Sequence, residues 1–328
     1  ANSDLFWPIL SLRMTRPGPV LEETFKMSKT KVGYVAIIGR PNVGKSTLLN
    51  YLVGEKLAGT SAKPQTTRDV VRGILTVPDG SVVKSPYRGQ IIFLDTPGVH
   101  QPKDALGAGM VRDVQQSLAD ADLLYWMVYP KAMGDPERAI LKWMKEVTIP
   151  VFLVVNQIDH FPKDDLLVAL DSFQKVFHFK EFIPVSAKTG ENVKTLVQQT
   201  LAYLPEGEFI YPEDQLSDQN VRFHVQEMIR EKLYHFLGEE LPYDGAVRID
   251  EFNEEDKMTR IHATIVVERD SQKAIVIGKG GEKIKQIGTA ARLDIQKFLG
   301  RKVFLQLWCK SIPGWKSNIG FLRESQHH

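Results

Sequence analysis

Eight residues, Gly39-Arg40-Pro41-Asn42-Val43-Gly44-Lys45-Ser46, constrain this chain more than any other stretch. They follow an apolar, β-branched run from Val32 to Ile38 and precede Thr47-Leu48-Leu49-Asn50-Tyr51-Leu52, so the order reads strand, glycine loop, helix start. That is the context a phosphate-binding loop requires. Gly39 and Gly44 let the backbone bend until successive N–H groups point at an anion, and the helix N-terminus adds its partial positive charge. In such a loop Lys45 reaches the β- and γ-phosphates and Ser46 offers its hydroxyl to Mg²⁺, while Pro41, Asn42, Val43 and Thr47 complete the cradle.

Around this loop, residues 31–203 alternate strand-like and helix-like segments. The spacing predicts strands at Val32 to Ile38, Val70 to Val77, Gln90 to Asp95, Asp122 to Tyr129, Val151 to Asn156 and Phe182 to Ser186. Most are nearly continuous apolar runs, as expected where a parallel sheet is covered on both faces. Pro78-Asp79-Gly80 reads as the turn of an antiparallel hairpin, which makes the sheet mixed but mostly parallel. Helices are expected near Lys45 to Val53, Gly109 to Ala119, Pro136 to Glu146, Lys163 to Phe177 and Asn192 to Tyr203. The fold class is therefore α/β, a doubly wound domain with its ligand site at the carboxyl ends of the strands.

A linker, 204–218, follows; its prolines, glycine and acids break both periodicities. Helical spacing resumes from Gln219 to Gly238, then come strands at Ala246 to Phe252 and Met258 to Glu268 with Asn253 to Asp256 as their turn. A short helix, a glycine loop, a long helix and a strand from Lys302 to Lys310 complete a smaller α+β domain over 219–316, before a tail at 317–328. Residues 1–30 read as a flexible extension or expression leader with Met27 a plausible natural start, and His327-His328 as the remains of a tag.

With 43% hydrophobic and 25% charged residues, and no apolar run near the roughly 20 residues that span a bilayer, the composition is that of a soluble globular protein. One cysteine, Cys309, excludes an internal disulfide and suits a reducing cytoplasm. The net charge of +2 hides an asymmetry: 204–256 carries fifteen acids against four Lys and Arg, whereas 271–328 carries eleven Lys and Arg against three acids. A basic end on a nearly neutral chain points to a polyanion, with a solvated basic face as the alternative.

Further motifs meet the phosphate loop at strand ends. Asp95-Thr96-Pro97-Gly98 can hold Mg²⁺ through Asp95 and sense a γ-phosphate through the Gly98 N–H. Thr66 or Thr67, in the polar loop Ala58 to Asp69, can complete the Mg²⁺ shell while triphosphate is bound. Asn156-Gln157-Ile158-Asp159 places a carboxylate that can accept from guanine N1–H and the 2-amino group; adenine offers neither donor. Ser186-Ala187-Lys188 can put the Ala187 N–H on guanine O6. In this order the set resembles the five G motifs of translation-factor-class GTPases, which implies GTP or GDP and Mg²⁺ as ligands. Two departures stand out. Gln157 replaces the family's lysine, which predicts weaker nucleotide affinity with guanine choice unchanged. Val99 stands where Ras-like enzymes carry a water-orienting glutamine, so hydrolysis is expected to be slow without a partner or cation. Asn42 matches the asparagine that potassium-dependent relatives use to hold K⁺; a loop-stabilising amide is the other reading.

In the basic segment, Ile277-Gly278-Lys279-Gly280-Gly281 joins two helices, with Lys283 just beyond. Small residues admit a sugar-phosphate backbone and the lysines add charge, as in the GXXG clamp of a KH domain. The following helix is expected to bury Ile284, Ile287, Ala291 and Ile295. The order helix-strand-strand-helix-helix-strand resembles the type II, bacterial KH fold. A P-loop GTPase domain followed by one such domain resembles the Era family of bacterial GTPases over about residues 31–316. The resemblance implies binding of small-subunit ribosomal RNA near its 3′ end, action in small ribosomal subunit assembly, a cytoplasmic monomer and loose association with the inner membrane face. Two alternatives stay open: a nucleotide-switched RNA chaperone with negligible hydrolysis, favoured by Val99, and an ATPase or kinase whose KH-like module docks protein, disfavoured by Asp159.

Overall fold

A computed structural model describes residues 29–59, 70–78, 86–98, 114–144, 146–237 and 245–318. The first sheet contains β1 (Thr30–Gly39), β2 (Val71–Val77), β3 (Arg88–Asp95), β4 (Leu123–Val128), β5 (Val151–Val155) and β6 (Glu181–Pro184) in the order β2-β3-β1-β4-β5-β6. All neighbours pair in parallel except β2 with β3. Because β1 lies between β3 and β4, the chain leaves it first toward one edge and later toward the other. The loops at the carboxyl ends of β1 and β4 diverge there and open a crevice, the topological switch point of such sheets.

Alternation along β1 decides what covers each face. Val35 and Ile37 pack with Leu48, Leu49 and Leu52 of α1 (Lys45–Val53) and with Leu196 and Val197 of α5 (Val193–Tyr203). Ala36 and Ile38 point the other way, into a core with Trp126, Ile140 of α3 (Asp135–Met144) and Phe173 of α4 (Lys163–Gln174). Trp126 is the pivot of that layer, with the Phe173, Phe177 and Phe179 rings 5.5, 6.3 and 5.8 Å from its own. Residues 114–120 form a further helical segment, α2, on this face. The expected start of that helix (109–113) and the hairpin tip Asp79-Gly80 lie outside the described residues.

The second unit is α6 (Val221–Leu237), β7 (Gly245–Glu254), β8 (Thr259–Val267), α7 (Asp270–Ile277), α8 (Glu282–Leu299) and β9 (Val303–Ser311), with sheet order β7-β8-β9. β7 pairs antiparallel and β9 parallel with β8. Ile229 and Leu233 of α6 and Ile287, Ala291 and Ile295 of α8 close over Ile261, Ala263 and Ile265 of β8. Two expectations are corrected here. β7 runs two residues into the expected turn, because a bulge between Ile249 and Glu251 takes up one residue and lets Asn253 and Glu254 pair with Arg260 and Thr259. Ile284 is half-buried and not part of the core, since it lies in the first turn of α8 beside the glycine loop.

The linker is not a free spacer. Its backbone straps the first sheet: Val32 N–H donates to Pro205 O at 3.0 Å, Gly207 N–H to Thr30 O at 3.1 Å and Ile74 N–H to Leu216 O at 2.8 Å. The buried Gln90 amide accepts from the N–H groups of both Ile210 and Tyr211 and donates to Tyr211 O, each at 2.9 Å. The linker acids Glu206 and Asp218 pair with Lys29 and Arg72 of the first domain, at 2.7 and 2.8 Å.

The two units also touch through the turn after α1. Lys56 Nζ lies 2.7 Å from Asp294 of α8 and 2.9 Å from Glu231 of α6, and Lys232 lies 2.7 Å from the same Asp294. His224 Nδ1 meets Leu57 O at 3.0 Å. Asn50 of α1 fixes that turn, accepting from the N–H groups of Leu57 and Ala58 at 2.9 Å and donating to Ala58 O at 2.8 Å.

Candidate functional site

The phosphate loop runs between the buried end of β1 and the start of α1, with Gly44 at φ 100° as N-cap. No other residue fits at 44: the φ is left-handed, and an added Cβ would sit 2.2 Å from Asn156 Nδ2. Beneath the loop are two buried charges. Lys45 is 7% exposed, and among the described residues its ammonium makes a long 3.4 Å contact to Gly39 O. Burial pulls its pKa down, against the opposing pull of Asp95. Asp95, at the end of β3, is fully buried; its Oδ2 accepts from the Ser46 hydroxyl at 2.6 Å, while Oδ1 has no hydrogen-bond partner. Burial pushes the Asp95 carboxyl up to about 6, opposed by Lys45 and the Ser46 hydroxyl.

A buried cation beside a carboxylate with a vacant acceptor and a hydroxyl is a costly arrangement for a protein to keep with no ligand. It matches what a divalent cation on a polyphosphate demands: phosphate oxygens for Lys45, a cation for Asp95 and Ser46. Among the described residues no group of three or more His, Cys, Asp or Glu side chains could hold a metal. A magnesium ion here would take most of its ligands from phosphate and water, its usual habit. Gly98 lies over Pro41, where an added Cβ would be 2.9 Å from the proline ring, so the strand-end turn and the phosphate loop are in contact. Thr66, Thr67 and Val99 lie outside the described residues.

At the far end of the crevice, the turns after β5 and β6 face each other. Asp159 is held near Ser186; burial opposes its charge, but hydrogen bonds from Ser186 and its own backbone N–H keep its carboxyl below the ordinary range. It therefore stays an acceptor at neutral pH. Lys188 follows in the same turn.

Asn156 is 2% exposed and bridges two loops, donating from Nδ2 to Val43 O at 2.8 Å and accepting at Oδ1 from the Ala187 N–H at 2.9 Å. That second bond also engages the Ala187 N–H expected on guanine O6, so Ala187 ties its own turn to β5. Sequence reading missed Tyr129, whose hydroxyl donates to Asn42 O at 2.8 Å. Its place at the carboxyl end of a strand, shared with the other site residues, is legible in the sequence; its bond to Asn42, 87 positions away, is not.

In the second unit, α7 ends at Gly278 and a short turn, Lys279–Gly281, leads into α8. Gly280 and Gly281 have φ of 62° and 82°, and an added Cβ at either would meet nothing within 4 Å. Glycine is required there by backbone conformation, while the space above stays open to a backbone from outside. Lys279 is exposed and Ile277 and Lys283 are half-buried beside it. Arg292 of α8 is half-buried and hydrogen-bonds Gln296 one turn on.

Comparison with known proteins accounts for both units. A family described as 50S ribosome-binding GTPase matches residues 34–157, and the KH domain family matches residues 233–316. GTPase Era of Staphylococcus haemolyticus is 45% identical over 300 residues, spanning 91% of this chain and 97% of that protein. Two solved structures each superpose with a TM-score of 0.84 at 40% identity, covering 90% of this chain and 98% of theirs. One is a variant of Aquifex aeolicus Era bound to GDP·AlF4⁻, the other Era with MgGDPNP and nucleotides 1506–1542 of 16S ribosomal RNA. With a phosphate loop and a glycine clamp on separate sheets and so similar a relative over nearly its whole length, the chain belongs to the Era family of GTPases.

Proposed function

We propose that the chain couples GTP hydrolysis to the holding of small-subunit ribosomal RNA near its 3′ end, and acts in assembly of the small ribosomal subunit. The observation that carries the nucleotide half is the buried Lys45 and Asp95 pair with its vacant Asp95 Oδ1. The RNA half rests on the open glycine turn and on the 40%-identical Era structure that holds 16S RNA.

In this reading the backbone N–H groups of the loop 39–47, Pro41 having none, and the Lys45 ammonium hold the β- and γ-phosphates. Ser46 and Asp95 would hold Mg²⁺, with Thr66 or Thr67. The metal, when bound, offsets charge on the phosphate oxygens. Asp159 selects guanine, with Gln157, Ser186 and Lys188 forming the rest of the base turn. Water attacks the γ-phosphorus in line, the bond to the β–γ bridging oxygen breaks, and GDP and phosphate leave. Lys45 and the Gly98 N–H balance the charge that builds on the transferred group. With Val99 after Gly98, turnover is slow until a partner or K⁺ near Asn42 assists. Cytoplasmic placement, a monomeric state and loose contact with the inner membrane face belong to the same proposal and rest on the family resemblance. No helix among the described residues is long and apolar enough to cross a membrane.

The turn 54–58 gives the coupling a physical route. It is pinned to α1 by Asn50 and to α6 and α8 by Lys56 and Leu57, and it leads toward Thr66 and Thr67. The test is RNA binding. A single-stranded oligonucleotide copying the 3′ end of small-subunit RNA should bind with different affinity in GTP-analogue and GDP; equal affinities refute the coupling. Comparing turnover in K⁺ and Na⁺ at equal ionic strength tests Asn42, and equal rates remove that role.

A further inference from the structure

The phosphate loop holds one non-glycine residue in the left-handed region, Asn42 at φ 65°. Asparagine tolerates this left-handed conformation better than other residues that carry a side chain, and it turns the residue's carbonyl toward β4 and the turn after β5. Here the Asn42 carbonyl is held by two donors. Tyr129 Oη donates at 2.8 Å, and Gln157 Nε2 reaches the same oxygen at 3.4 Å, the outer limit of a hydrogen bond. Gln157 also hydrogen-bonds the Tyr129 hydroxyl.

Tyr129 is itself clamped. It follows the last residue of β4, and its ring has the Arg40 guanidinium 4.9 Å over one side and Phe161 6.2 Å away. Arg40 is placed by Glu137, 3.6 Å away and 7% exposed, which also accepts the Gly134 N–H at 3.0 Å ahead of α3. A chain of four side chains thus fixes one hydroxyl against one carbonyl of the loop. Burial raises the pKa of the Tyr129 hydroxyl, so it remains a donor at neutral pH.

We propose that Tyr129 is a positioning residue for the GTPase site: its hydroxyl holds the Asn42 carbonyl and keeps the phosphate loop in its binding shape, supplying the contact that Gln157 makes only at long range. This rests on the reading of residues 39–46 as the triphosphate cradle. The weaker affinity expected from a glutamine at 157 is then offset from a neighbouring strand.

The test is a double-mutant cycle on the full chain, with GDP and GTP-analogue affinity and steady-state turnover measured for the parent, Tyr129→Phe, Gln157→Lys and the pair. Loss of one such hydrogen bond is expected to weaken nucleotide binding about 3- to 10-fold in Tyr129→Phe, raising KM with kcat within about twofold. Lysine at 157 supplies a charged donor for the same carbonyl, so it should restore most of the loss in the Tyr129→Phe background and add little to the parent. A merely structural tyrosine would lower the melting temperature without rescue from position 157. Unchanged affinity in Tyr129→Phe overturns the proposal, as does an equal effect of Gln157→Lys in both backgrounds. A parent that ignores GTP is a separate result and overturns the cradle itself.

Discussion

Replacing Asp95 by Asn keeps the shape of the side chain and removes its charge, and the nucleotide-free fold should become more stable for it. The Asp95 carboxyl is pushed up to about 6 from an ordinary 3.8, with burial the main cause. Below about pH 4 both the folded and the unfolded chain carry the proton and there is no penalty. As pH rises from about 4 to about 6 the unfolded chain ionises first, so stability falls through that window and the full cost stands above it. A displacement of about two pH units at 1.36 kcal/mol each gives about 3 kcal/mol. Asn at 95 also leaves Lys45 without a neighbouring carboxylate, so a net gain of about 1–3 kcal/mol is expected at pH 7.5, or roughly 2–10 °C in melting temperature. The assay is calorimetric melting of nucleotide-free parent and Asp95→Asn at pH 4.5, 5.5, 6.5 and 7.5. The gap should open with pH and saturate above about 6, while the variant loses the Mg²⁺ dependence of GTP binding. A gap that is flat with pH, or a variant less stable at pH 7.5, would refute the account of a strained, vacant carboxylate.

Asn156→Ala removes two buried bonds at once and leaves Val43 O and the Ala187 N–H without that partner; a loss of about 2–4 kcal/mol is expected, seen as nucleotide affinity down by about 30- to 1000-fold in titration calorimetry. Asp159→Asn turns an acceptor into a donor toward the base and should shift preference from guanine to xanthine nucleotides, read by competition with XDP. Lys56→Ala breaks a partly buried ion cluster with Glu231 and Asp294, worth about 0.5–2 kcal/mol, and should shrink any difference in RNA affinity between GTP-analogue and GDP, measured by fluorescence anisotropy. Gly280→Asp places a carboxylate in the open space above the turn at φ 62°, so RNA affinity should fall at least tenfold, with GTP turnover unchanged in a phosphate-release assay.

What the sequence determined by itself was local chemistry. A phosphate loop, a strand-end carboxylate and a glycine clamp each lie within a few residues. Their backbone needs, such as Gly44 and Gly280 at positive φ, are met by residue type alone. The strands and helices were legible for the same reason, since alternating and helical periods are short. What only the tertiary structure decided is which distant groups meet. Asn156 bonds Val43 across 113 positions, Tyr129 bonds Asn42 across 87, and Lys56 bonds Asp294 across 238. No periodicity encodes such pairs: they arise where strands parallel to β1 bring their carboxyl ends beside it, and where the linker lies along the first sheet. That is why the residues proposed to bind phosphate could be named from the chain, while the contacts around their loop, and those that join it to the second unit, had to be seen in the fold.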